Sequence, residues 1–191
     1  MKKRKLEDLI ELTSGSPQFR ITESTEDNAP IYSFYGQQEI ENDLAGIEVN
    51  TENAKSICTF DDVNILNEGE VVFSLISGRT ALVRSAHQGY LYTQNYVKLV
   101  PKEEIDIKYL IYILNESEHI KKQWLMGLQG SAVLKHTVKQ LRELELPKLH
   151  DLDKQQTIGN IYFCQLRLQA LKNRAANTER IITFEKLKEV K

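Results

Sequence analysis

The sequence predicts an α+β protein: a β-rich domain with short helices over residues 1–150, then one long helix over 151–191. Three observations predict it. Between Ile31 and Pro101, short runs of apolar and aromatic residues alternate with turn-forming residues, as strands do. After Pro101 the apolar period lengthens to that of a helix. Beyond Pro147 there is no proline, and apolar residues recur at steps of three, four and seven almost to the last residue.

In chain order, Lys5 to Leu12 is a short amphipathic opening, closed by the loop Thr13-Ser14-Gly15-Ser16-Pro17. Arg20 to Pro30 is polar and reads as loop or hairpin. Ile31-Tyr32-Ser33-Phe34-Tyr35 is a strand ending at Gly36, and acidic and turn-forming residues fill Gln37 to Asn53. A strand around Ser56 to Phe60 precedes the clearest one, Glu70 to Ile76, which is linked through Ser77-Gly78-Arg79-Thr80 to Ala81–Arg84. A turn at His87-Gln88-Gly89 leads into Tyr90–Thr93 and Tyr96–Val100, completing an antiparallel meander. Tyr32, Tyr35, Tyr90, Tyr92 and Tyr96 fall at strand spacing, where rings pack across strands.

Ile107 to Gln123 is helical, with Trp124, Leu125 and Met126 as its apolar end and Gly127 as its stop. The small-residue loop Gly127-Leu128-Gln129-Gly130-Ser131 follows. Val133 to Val138 and then Leu141, Leu144 and Leu146 carry the chain to Pro147. The final helix has Asp153 as expected N-cap, with Gln156 reaching back in a capping box. At 1.5 Å per residue it would be roughly 55 Å long, more than one face of a small domain requires. With Ile161 at heptad position a, Leu168, Ala175 and Ile182 share that column, while Cys164, Leu171, Thr178 and Glu185 form a d column that decays toward polar residues. Periodicity alone suits either a helix folded back on its own domain or a short coiled coil.

A chain of 191 residues with 41% hydrophobic and 27% charged residues can bury a sizeable core. No run of eighteen apolar residues suggests a membrane span, and Lys2-Lys3-Arg4-Lys5 runs into an acidic stretch rather than a signal sequence. Cys58 and Cys164 match neither a metal spacing nor a disulfide framework, so a cytoplasmic location is expected. The net charge of −2 conceals an asymmetry: Arg20 to Glu70 holds twelve acidic residues against Arg20 and Lys55, while the later chain is net basic. A nucleic-acid footprint would therefore lie in the later half or the basic N-terminus.

Catalytic signatures are missing. There is no phosphate-binding glycine loop, dinucleotide fingerprint, zincin helix or nucleophile elbow, and no Pro-Pro pair such as a DNA methyltransferase tetrapeptide needs. His87, His119, His136 and His150 are scattered, and Glu68 and Glu70 flank a turn glycine as solvated charges. The chain is expected to be no enzyme and to bind no metal.

Gly127-Leu128-Gln129-Gly130-Ser131, Leu141 to Glu145, Leu146-Pro147-Lys148-Leu149 and Gln155-Gln156-x-Ile158 resemble the region of type I restriction-modification specificity (S) subunits that joins a target recognition domain to its conserved helix. Gly69-Glu70-Val71-Val72-Phe73-Ser74, Thr93 to Pro101 and Tyr109-Leu110-x-Tyr112-x-Leu114 look like the same domain, and Lys5 to Leu9 with Gly15 is similar to its first strand. Two departures stand out. Lys148-Leu149-His150 replaces a common second proline, and the chain has one recognition domain and one helix where the family has two of each.

The resemblance implies a non-catalytic DNA-reading domain at 1–150 that recognises half of a bipartite double-stranded target. It also implies a coiled-coil helix at 151–191 that sets the spacing of two readers. The expected partners are a methyltransferase subunit, which would bring S-adenosylmethionine, and a restriction subunit; the chain itself would hold no cofactor. Homodimerisation through Ile158, Ile161, Leu168, Leu171, Ala175 and Ile182 would rebuild a two-reader unit. The alternatives are a coiled-coil interaction protein that binds no DNA and a minimal nuclease or modification enzyme. From side-chain chemistry the expected DNA contacts are Ser77, Arg79, Thr80, Gln129, Ser131 and Lys135. Arg79 suits guanine, Gln129 and Gln94 suit adenine, and Thr80, Ser131 and Lys135 suit phosphates. Gln94 and Asn95 read more readily as structural.

Overall fold

The computed structural model describes residues 4–47, 54–128 and 135–189. The opening is a helical turn, α1 (Leu6–Leu9), that buries Leu6 and Leu9 and runs straight into β1 (Ile10–Ser14). The first strand thus starts at Ile10, later than the resemblance implies. β2 (Ile31–Ser33) ends short of Phe34, and the acidic stretch after it is a helix, α2 (Gln37–Ala45), where the sequence suggested only turns. Its start is held by Glu39, which accepts the Gly36 N–H at 2.9 Å, and its end by Gly46 at φ 65. Ile40 and Leu44 give it a buried side.

β3 (Ser56–Cys58) pairs antiparallel with β2 in a separate two-stranded sheet. β4 (Val71–Ser74), β5 (Thr80–Leu82) and β6 (Tyr96–Pro101) join β1 in an antiparallel sheet of order β1-β6-β4-β5. This is not the expected meander, because β6 inserts between β1 and β4, pairing Leu12 with Leu99 on one side and Val71 with Leu99 on the other. Tyr90 to Thr93 forms only isolated bridges, since its backbone is shared among segments: Leu91 donates to Ser33 and accepts from Tyr35. Every residue of β4 is buried, which explains its unbroken apolar run.

The expected single helix after Pro101 is two. α3 (Ile107–Glu116) stops at Ser117, whose backbone turns extended, and α4 (Glu118–Leu128) follows. Tyr109, Leu110, Ile111, Ile113 and Leu114 of α3 enter the core. α5 (Val138–Glu143) is capped by Thr137, and the residues after it return beside the N-terminus, Leu6 donating to Leu144 and Leu146 to Arg4.

α6 (Leu152–Glu189) is one continuous helix. Its cap is Asp151, whose carboxylate accepts the Lys154 N–H at 3.0 Å, and not Asp153, which already lies inside the first turn. The helix runs alongside α3 in the same direction, with Gln155 bonded to Asp106, Asn160 to Lys108 and Tyr162 to Glu116. The helices approach closely at Gly159, where a Cβ would lie 2.7 Å from Lys108 Cβ and 2.8 Å from Tyr109 N.

The long stripe divides between two faces of one helix, one packed on the domain and one exposed. Ile158, Tyr162, Phe163 and Leu166 pack against the core, so Ile158 belongs to the fold of its own domain and not to an open face as expected. Ile161, Leu168, Leu171, Ala175 and Ile182 are exposed, and so are Ile181, Phe184 and Leu187 near the helix end. Among the described residues no helix is long and apolar enough to cross a membrane.

Candidate nucleic-acid interface

The antiparallel register brings the end of β1, the end of β4, the start of β5 and the start of β6 to one end of the four-stranded sheet. The β4–β5 connection there is a tight turn closed by Ser74, which accepts the Arg79-side return through Gly78 N–H at 2.9 Å and donates its own N–H to Arg79 O at 2.8 Å. Its hydroxyl accepts from Ile76 and Ser77 N–H, both at 3.2 Å, and from Gln37 Nε2 at 2.6 Å. Gly78 sits at φ 70, with the His136 ring where a side chain would stand. That ring packs on Trp124 at 4.2 Å between centroids, and burial holds its pKa below the ordinary value.

Three other segments converge on this turn. Asn95 accepts the Leu75 N–H through its carbonyl at 2.8 Å and Lys135 Nζ through its side chain at 2.6 Å. His136 N–H donates to Leu75 O at 2.9 Å. Gln94 donates its N–H to Ser16 O and accepts Gln18 N–H at 3.1 Å, tying in the loop after β1. The result is a surface of turns on a rigid sheet end, with Ile76, Ser77, Gln94 and Lys135 exposed.

The residues expected to touch DNA therefore fare differently. Ser77 and Lys135 come together and are open. Arg79 is half-buried, its guanidinium between Glu41 at 3.4 Å and Glu116 at 3.9 Å, so reaching a base would mean leaving both carboxylates. Thr80 is fully buried and cannot hold a phosphate as expected: its N–H donates to Asn115 Oδ1 at 2.8 Å and its carbonyl accepts Asn115 Nδ2 at 2.9 Å. Gln129 and Ser131 lie outside the described residues. Gln94 and Asn95 hold the turns together. Of the five tyrosines at strand spacing, Tyr35, Tyr92 and Tyr96 are buried.

Sequence reasoning missed the network behind the turn. Glu116 receives Tyr162 Oη at 3.1 Å and Lys121 at 3.3 Å, and Asn115 Nδ2 also donates to Tyr162 Oη at 3.3 Å. Burial first, then the neighbouring Glu116 charge, raises the Tyr162 phenol to about 12. These groups connect the turn of Arg79 to α3 and on to α6. No local pattern marks them, because they meet only across the fold.

Compared with known proteins, residues 1–163 match the family model described as type I restriction modification DNA specificity domain. No curated protein sequence matches. Among solved structures, the HsdS subunit from Thermoanaerobacter tengcongensis is similar at a TM-score of 0.57 and 18% identity, over 92% of this chain and 39% of that one. A chain solved in work on complex assembly and conformational transition of the type I R-M system is similar at a TM-score of 0.60 and 18% identity, over 97% of this chain and 43% of that one. The chain thus spans about two fifths of the length of these structures.

Proposed function

Since the chain belongs to the type I restriction-modification DNA specificity family, we propose that it reads one half of a bipartite double-stranded DNA target. The observation that carries this reading is the convergence of four segments on one sheet end, where Ser77 and Lys135 are exposed beside Gln94 and Asn95. Lys135 supplies a cation for the phosphate backbone, and Ser77 and Gln94 supply donors and acceptors that suit base edges or phosphates. Gln129 and Ser131, which precede Lys135 in sequence and lie outside the described residues, are kept as proposed contacts to adenine and phosphate from their side-chain chemistry alone. Arg79 acts behind it, holding the turn in shape through Glu41 and Glu116.

The chain performs no chemistry in this reading. A methyltransferase subunit brings S-adenosylmethionine to the target, a restriction subunit joins that assembly, and α6 offers Ile161, Leu168, Leu171, Ala175 and Ile182 to a second long helix, homodimerisation being one way to supply it. Two recognition domains are then held at a fixed separation, as a bipartite site requires.

The experiment is selection of duplexes from a randomised pool by the purified chain, followed by titration over a salt series. Enrichment of a defined half-site, bound with steep salt dependence, is the expected result. A pool that stays random after repeated rounds would overturn the reading.

A further inference from the structure

The exposed stripe on the middle of α6 has a one-sided charge environment. Arg167, Lys172 and Arg174 flank Leu168, Leu171 and Ala175, and α6 carries no carboxylate between Asp153 and Glu179. Among the described residues these three cations make no ion pair. Glu68, in the turn before β4, lines a pocket with Arg84 and Arg167 but lies outside ion-pair distance of both, and the Asp43 carboxylate in that pocket is already engaged by Tyr35 and His87.

With Ile161 at position a, Arg167 and Arg174 occupy g and Lys172 occupies e, the positions that meet the flanks of a partner helix and select it. Self-pairing leaves Arg167 and Lys172 unmatched in either orientation. Two antiparallel copies centred on the stripe set e against e and g against g, so that Lys172 faces Lys172 and arginine faces arginine. Two parallel copies set Arg167 against Lys172, although Arg174 then meets Glu179. Neither arrangement brings a carboxylate to Arg167 or Lys172.

We propose that this seam is shaped for a helix of different sequence, one with an apolar stripe flanked by glutamate or aspartate. The inference rests on the reading above for the existence of a second helix, and it names the chemistry of that helix. Homodimerisation through the same stripe is then the weaker of two pairings, and like-charge apposition is what disfavours it.

The test uses two synthetic peptides of four heptads, both with leucine at a and d, one with glutamate and the other with lysine at e and g. Binding of each to the purified full chain is followed by fluorescence anisotropy at low and high salt, beside the chain's own self-association by sedimentation. The glutamate peptide should bind at least tenfold more tightly, with the preference shrinking in salt and inverting in a Lys172→Glu/Arg174→Glu variant. A Leu168→Asp/Leu171→Asp variant should bind neither. All four positions are exposed, so folding is not at stake, and circular dichroism checks it. Equal affinity for the two peptides, or self-association tighter than glutamate-peptide binding, overturns the proposal. Duplex titration of the same variants reads the DNA surface separately, so loss of peptide preference with intact DNA binding leaves the DNA reading standing.

Discussion

The side chain of Gln155 accepts the backbone N–H of Asp106 at 2.9 Å, joining the first turn of α6 to the first residue before α3. Its amide nitrogen donates to His150 O at 2.8 Å and Glu104 O at 3.3 Å, so one buried glutamine satisfies three backbone groups from two segments. Gln155→Ala leaves those groups without partners in a dry site and should cost about 1–3 kcal/mol. Gln155→Leu, which keeps the volume but not the bonds, should be as damaging. Urea unfolding of the two variants checks this; a loss with alanine alone would mean that packing and not hydrogen bonding is what matters there.

Gly159 lets α6 approach α3 so closely that a methyl group would collide with the backbone of Tyr109. Gly159→Ala would usually stabilise a helix interior. Here it should destabilise by about 1–3 kcal/mol, the range for overpacking, because the obstacle is main chain and cannot rotate away. A raised thermal midpoint in this variant would contradict the helix contact described.

The Tyr162 phenol, raised to about 12 from its usual value near 10, is protonated in the fold, where it donates to Glu116. A folded-state value above the unfolded one gives stability that is complete below pH ~10 and lost as pH climbs through about 12. Denaturant midpoints should therefore fall between these pH values. In Tyr162→Phe the fall should be shallower, with Tyr92, also raised to about 12 by burial, and Tyr35, Tyr96 and Tyr109, raised by burial as well, supplying what remains. Superimposable profiles would exclude Tyr162 as a source.

Lys135→Ala should weaken binding to all duplexes about equally and reduce the salt slope by about 1, as removal of a phosphate contact does. Arg79→Ala should leave that slope unchanged and cost less than ~1 kcal/mol in stability, since its two carboxylate partners are partly solvated. Parallel salt titrations of the two variants distinguish a residue on the surface from one that supports it.

The elements most legible in the sequence are those whose local pattern agrees with their final environment. β4 is buried throughout and reads as an unbroken apolar run; α3 and α6 show their periods openly. α2 was hidden because only Ile40 and Leu44 mark its buried side, and its surroundings of Gln37, Gln38, Glu39 and Glu41 resemble a solvated connection. The insertion of β6 into the sheet depends on pairing with β1 across most of the domain, which no window of sequence contains. At the candidate interface, turn composition located Ser77, but the partners that restrain Arg79 and bury Thr80 lie more than thirty residues away in sequence.

The unbroken course of α6 ties reach to azimuth. Each residue added beyond Leu166 would lengthen the arm by about 1.5 Å and swing everything distal to it by about 100°. One extra residue would turn Leu171 and Ile182 to another compass bearing relative to the recognition surface; seven would carry them about 10 Å farther out and nearly restore their bearing. Separation and orientation are thus geared together, and the lengths at which such an arm can work form a ladder of discrete rungs.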